Sequence, residues 1–174
     1  MFNGCNNLKN LNLSNFIIKK ITNMRGLFKD CFNLEKIDLS IFETKNASNM
    51  DEMFKNCQKL NELILLSFDT TNVTSMESMF SNCCNLTNLE ITSFNTKNVT
   101  NMKDIFGGCK KLKNINISSF NTKNVTNMSG MFRNCKNLLN IDLSKLDTSK
   151  TIDMSKMFES RKSLTELNLS LFNT

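Results

Sequence analysis

An α/β solenoid, a rod of stacked coils each holding one short parallel strand and one short helix, is what this sequence predicts. Three observations carry that reading. A Met-Phe pair or a close substitute returns every 26 residues, at Met1-Phe2, Leu27-Phe28, Met53-Phe54, Met79-Phe80, Ile105-Phe106, Met131-Phe132 and Met157-Phe158, with no insertion or deletion. A fixed period of roughly 20–50 residues marks a stacked repeat architecture. Cysteine follows the Phe by three residues in six copies, at Cys5, Cys31, Cys57, Cys83, Cys109 and Cys135, and Arg161 takes the seventh place. Finally, six periods and a further 18 residues account for all 174, which leaves nothing for a second domain or a linker. About seven coils in a single array over residues 1–174 are therefore expected. The chain starts and stops inside a repeat without the polar end caps that arrays need, so the reading is an uncapped piece of a longer solenoid.

The helix is read from spacing. Met102, Ile105, Phe106 and Cys109 stand at i, i+3, i+4 and i+7, one face of a short helix. Asn101 precedes it as an N-cap, and Asn23, Asn49, Ser75, Asn127 and Asp153 fill the same column. The column before the cysteine reads Gly4, Asp30, Asn56, Asn82, Gly108, Asn134 and Ser160. Gly and Asn tolerate the left-handed conformation that ends a helix, so about two helical turns are predicted.

The strand follows. Leu112, Ile115 and Ile117 in one coil match Leu34, Ile37, Leu39 and Leu60, Leu63, Leu65 in others, and the L-x-L step has the period of a strand. Phe16, Phe42, Phe68, Phe94, Phe120, Leu146 and Phe172 close the core beyond it, and Ile21, Ala47, Val73, Val99 and Val125 mark a second extended segment before the helix. With parallel strands ~4.8 Å apart, seven coils make a rod of about 30 Å.

Composition narrows the function. Hydrophobic residues are 40% and charged residues 22%, the balance of a folded globular chain. No apolar run reaches the ~18 residues of a membrane span. No signal peptide is read, since Met1 is already the Met of a repeat and polar residues follow at once. The chain has no His, which removes the commonest general base and the commonest metal ligand. No catalytic set, metal site or cofactor is expected.

The period M-F-x-x-C-x-x-L-x-x-L-x-L-S-x-F-x-T-x-x-V-x-x-M resembles the BspA-like leucine-rich-repeat surface proteins of bacteria and some protists. Thr122, Val125, Met128, Met131-Phe132, Cys135, Leu138, Ile141, Leu143, Ser144 and Thr148 carry the likeness well. The resemblance implies a right-handed leucine-rich-repeat solenoid, export to the cell surface or secretion, and a non-enzymatic role in adhesion to a host or neighbouring-cell protein. A structural spacer without a ligand of its own is the alternative.

Candidate sites compete with plainer readings. The ladder cysteines read as buried small hydrophobes better than as zinc ligands, which need close pairs. Only Cys83-Cys84 are close, and Cys84, outside the ladder, is the expected exposed thiol. The Met columns read as core. Asn98-Val99-Thr100 and Asn124-Val125-Thr126 are glycosylation triplets that the repeat generates automatically. A Thr face ordering ice-like water is weak, because Lys interrupts it. The candidate binding surface is the outward strand face, with Asp38, Ile64, Leu66, Glu90, Asn116 and Asp142. Solenoids bind partners with such faces. Its carboxylates Asp38, Glu90 and Asp142 stand two coils apart, roughly 10 Å by the strand spacing, wide for a glycosidase pair. The second candidate is a basic stripe of Lys19, Lys45, Lys97 and Lys123 in a chain of net charge +6. It fits an acidic glycan or anionic lipid or is simply a solvated face. A second lysine cluster, Lys110, Lys111, Lys113, Lys136 and Lys162, follows the cysteines. Nucleic acid is not expected, for no aromatic residue stands among these lysines to stack on bases.

Overall fold

The computed structural model describes residues 1–16, 21–161, 167–170 and 172. Each coil lies on the next in the 26-residue register that the sequence sets. Isolated parallel bridges join Asn23 to Asn49, Asn49 to Ser75, Ser75 to Asn101, Asn101 to Asn127 and Asn127 to Asp153. Phe2, Phe28, Phe54, Phe80, Phe106, Phe132 and Phe158 stack ring on ring, with centroids 5.4 to 6.0 Å apart and planes within 14°. Those separations suit offset stacking. Around this column the core is continuous from Leu13 to Met157.

Among the described residues there is no helix. The predicted helical segment is instead a run of tight turns. In the coil from Met24 to Cys31, the N–H groups of Leu27, Lys29 and Cys31 donate to carbonyls three residues back. Those of Met24, Gly26, Phe28 and Asp30 donate outward to Asn49, Asp51, Met53 and Lys55 of the next coil. An α-helix would spend every interior N–H within its own segment. Here alternate groups hold coil to coil. The geometry needs left-handed residues at two columns, where Gly26, Glu52, Ser78, Asp104, Gly130 and Lys156 take φ of 50° to 62°, and Asp30, Asn56, Asn82, Gly108 and Asn134 take 58° to 77°. A right-handed helix could not continue through them. Burial alone does not separate the two structures, because the turn run also buries Met24, Leu27, Phe28 and Cys31.

The predicted capping column keeps its chemistry in this new setting. Asn23, Asn49, Asn101, Asn127 and Asp153 each accept the N–H two residues on through a side-chain oxygen. Ser75 is too short, so Glu77 N–H reaches Asp51 Oδ1 in the preceding coil, at 2.8 Å.

On the L-x-L side two strands form among the described residues, β1 (Lys36–Asp38) and β2 (Glu62–Ile64), parallel with Ile37 opposite Leu63. Asn10 bridges to Lys36. No backbone hydrogen bond joins residues 62–65 to 88–91, so the sheet stops at β2. The parallel sheet expected along every coil is thus short, and the long ladder runs through the Asn23 column.

The threonine column ties coils together from inside. Thr70 Oγ1 donates to Asn95 O at 2.9 Å and accepts Asn95 N–H at 2.8 Å. Thr44, Thr96 and Thr122 make the same reciprocal pair with Asp69, Asn121 and Asp147. All four threonines are buried, and a buried hydroxyl is stable only when so paired.

Candidate functional site

The outward column of the strand face consists mostly of turn-forming side chains. Asn12, Asp38, Asn116, Asp142 and Asn168 each accept the N–H of a serine two residues on, at 2.8 to 3.0 Å. The Ser40 and Ser144 contacts hold the Asp38 and Asp142 carboxyls below the usual range, because they favour the charged form. Both are exposed, as are Glu90 and Asn116.

The third coil departs from this pattern. Ile64 replaces the turn-forming Asn or Asp, and Leu66 replaces the serine. Leu66 is 74% exposed. In the fourth coil Glu90 takes the hydroxyl of Thr92 at 2.7 Å. Beside these residues lies an open groove of about 460 Å³, lined by Asn61, Glu62, Leu63, Asn88, Leu89, Glu90, Asn114, Ile115 and Asn116. It lies where the β1–β2 sheet has ended. Ile64 and Glu90 are therefore neighbours at a break in the ladder. The sequence reading missed the groove's Asn wall, Asn88 and Asn114, two residues before the outward column; the L-x-L alternation contained the signal.

Of the basic stripe, Lys45, Lys97 and Lys123 are exposed. Lys19 lies outside the described residues. Stacking brings acids beside the stripe. Asp69 is held low by Thr71 hydrogen bonds and, more weakly, by the charge of Lys45. Asp147 is held low by Ser149, with Lys123 and Lys150 adding. The charge there is mixed.

The buried cysteines are structural donors. The thiols of Cys31, Cys57, Cys83, Cys109 and Cys135 each donate to the carbonyl of the Phe one coil back, at 3.1 to 3.2 Å. All seven cysteines are free thiols, with Cys5 exposed and Cys84 half-buried. The Met column at Met24, Met50, Met76, Met102 and Met128 is wholly buried. The amides of Asn72, Asn98 and Asn124, in the glycosylation triplets, donate to Lys45, Thr71 and Lys97 carbonyls of the preceding coil.

A stacked array of 26-residue coils with a short parallel sheet and an uneven outer face defines a repeat protein that offers surfaces. The family described as "Mycoplasma protein of unknown function, DUF285" matches residues 1–114 and 64–172. The chain belongs to this family. No curated protein matches it. Among solved structures it is similar to a leucine-rich cell surface protein from Faecalibacterium prausnitzii A2-165, at 23% identity and a TM-score of 0.46 over 70% of this chain and 29% of that one. A leucine-rich-repeat protein from Eubacterium ventriosum gives 22% and 0.48 over 78% and 32%. The T. pallidum leucine-rich-repeat protein gives 15% and 0.46 over 78% and 63%. The chain spans less than a third of the first two. No helix among the described residues is long and apolar enough to cross a membrane.

Proposed function

We propose that this chain is a non-enzymatic protein-binding module of a cell-surface protein of the BspA-like kind, adhering to a protein on a host or neighbouring cell. The contact is the strand face around Ile64, Leu66 and Glu90, with Asp38, Asn116 and Asp142 at its margins. One observation carries this reading. At Ile64 and Leu66 the array gives up a turn-forming pair that five other coils keep, and gains an apolar side chain 74% exposed to water. A departure from a locally consistent repeat that brings no gain in stability marks a functional position. The carboxylates Asp38, Glu90 and Asp142 sit in alternate coils, a spacing that suits separate polar contacts to a partner better than a catalytic pair. The basic stripe of Lys19, Lys45, Lys97 and Lys123 is a secondary contact for an acidic glycan. The spacer reading is favoured by the Asx turns and threonine pairs, which spend most polar groups on holding coils together.

The test restores the repeat. Ile64→Asp with Leu66→Ser puts back the pair found in Asp38 and Ser40. Fluorescently labelled chain should bind cultured animal cells, lose binding when the cells are shaved with protease, and lose about 30-fold in affinity in the double variant if one apolar anchor worth ~2 kcal/mol is removed. Binding that survives both treatments would place the contact on a surface other than the strand face and overturn this reading; no binding at all favours the spacer.

A further inference from the structure

A different surface has a different chemistry. The residues just after each cysteine form one edge of the array, and the backbone aligns them coil by coil. Lys59 N–H donates to Phe32 O and Lys111 N–H to Cys84 O, each at 3.2 Å. Lys113 N–H donates to Thr87 O at 3.2 Å, and Leu139 N–H to Lys113 O at 3.3 Å. Along this line Lys59, Lys110, Lys111 and Lys113 are exposed, and Lys136 repeats the place of Lys110 one coil on. Two apolar side chains share the edge, Phe32 at 36% exposure and Leu139 at 52%. Glu35 is the single acid in these three columns among the described residues. Lys59, Lys110, Lys111 and Lys113 enter none of the four ion pairs formed among those residues. Phe32 to Leu139 spans four coil steps, roughly 20 Å along the array at the ladder spacing.

We propose that this edge docks on an anionic lipid bilayer. The argument is charge complementarity joined to the placement of the apolar groups. A surface of acidic headgroups attracts lysines that extend along it. Phe32 and Leu139, at either end of the lysine run, enter the boundary between headgroups and acyl chains, while the lysine stems lie along the same boundary with their ammonium groups in the headgroup layer. A soluble acidic polysaccharide satisfies the lysines but gives the two apolar side chains no apolar medium, so the bilayer is the partner this edge fits. This contact is independent of the strand face. The stripe at Lys45, Lys97 and Lys123 differs from it by having Asp69 and Asp147 as neighbours.

The test uses the full chain with vesicles of phosphatidylcholine alone and of phosphatidylcholine with phosphatidylglycerol, read by co-sedimentation at low and high salt. Binding is expected only with phosphatidylglycerol present, and it should weaken as salt rises. Lysines near an anionic surface are each worth about fivefold in partitioning. The triple variant Lys110→Gln, Lys111→Asn, Lys113→Thr should therefore lose about two orders of magnitude. Its new side chains are those that Gln58, Asn85 and Thr87 already supply in these columns, so the fold is kept and circular dichroism checks it. Leu139→Thr should weaken binding severalfold. Lys45→Thr, Lys97→Thr, Lys123→Thr makes the same change in net charge and should keep vesicle binding close to wild type. Equal losses in the two triple variants would reduce the effect to net charge and overturn the proposal. So would absence of binding to phosphatidylglycerol vesicles, or retention on immobilised heparin without vesicle binding, which would identify a glycan edge.

Discussion

Gly130 and Gly4 both hold a positive φ, 62° and 76°, in unlike surroundings. Nothing lies within 4 Å of where a Cβ on Gly4 would stand. On Gly130 it would land on the Asp104 carboxylate, which the Arg133 guanidinium holds at 2.9 Å. Gly4→Ala should therefore cost only the left-handed conformation, about 1–2 kcal/mol. Gly130→Ala must also displace a paired carboxylate, and should cost about 3 kcal/mol or more. Urea unfolding midpoints distinguish the two, and equal losses would mean that Asp104 does not constrain Gly130. Gly108 is caged in the same way by the Asn82 amide. In the same column Asn82 Nδ2 donates to Asn56 Oδ1 at 2.9 Å, and Asn56 Nδ2 to Asp30 Oδ1 at 2.7 Å. The left-handed preference of this column was legible in its Gly and Asn. The neighbouring left-handed column was not, since Glu52, Ser78 and Lys156 give no such signal.

The turn run shows why element type was harder to read than register. Spacing of i, i+3, i+4 and i+7 reports which side chains face inward, and both a helix and this staircase of turns place Met24, Leu27, Phe28 and Cys31 inside. What separates them is where alternate N–H groups go, and that depends on the coil above. The break in the outward column was legible by contrast, because Ile64 and Leu66 stand out once the coils are aligned by number. Its groove was not, since it arises where the ladder stops. The acids beside Lys45 and Lys123 were not legible either, for Asp69 and Asp147 lie 24 residues on and arrive only through stacking. Threonine sits in the part of the coil where the sequence supplies a column and the structure supplies its reason. Thr70→Val keeps the shape but removes a donor and an acceptor, leaving Asn95 N–H and C=O without their buried partner. A loss of about 2–3 kcal/mol is expected in chemical denaturation. Thr70→Ser retains both bonds and should cost about 1 kcal/mol or less. If Thr70→Ser costs as much as Thr70→Val, the methyl group contributes no less than the reciprocal hydrogen bonding, and the buried pair is not what dominates this column.

Across the whole molecule the same thiol is repeated in one continuous core, and the repetition makes stability depend on alkaline pH. Burial pushes the Cys31 thiol up from its ordinary 9.0 to about 11 and the Cys135 thiol to about 12. It pushes Cys57, Cys83 and Cys109 up as well, since a thiolate cannot be solvated among the stacked phenylalanines. A raised folded pKa means that the folded chain keeps a proton the unfolded chain has released. The contribution to stability is complete below about pH 9 and declines as pH rises through 9 towards each folded value. Each thiol then removes about 1.4 kcal/mol per pH unit, and five acting together remove about 7. Against a total of about 5–15 kcal/mol for an ordinary domain, cooperative unfolding should follow about one to two units above pH 9. Far-ultraviolet circular dichroism across an alkaline titration reads it directly. Lysines also lose their charge near this range, so the titration is repeated on Cys57→Ala, Cys83→Ala, Cys109→Ala. With three titrating groups gone the slope of stability against pH should fall to about two-fifths, even though the neutral-pH stability also drops from lost packing. An unchanged slope would assign the alkaline transition to the lysine surface and leave the buried thiols as packing alone.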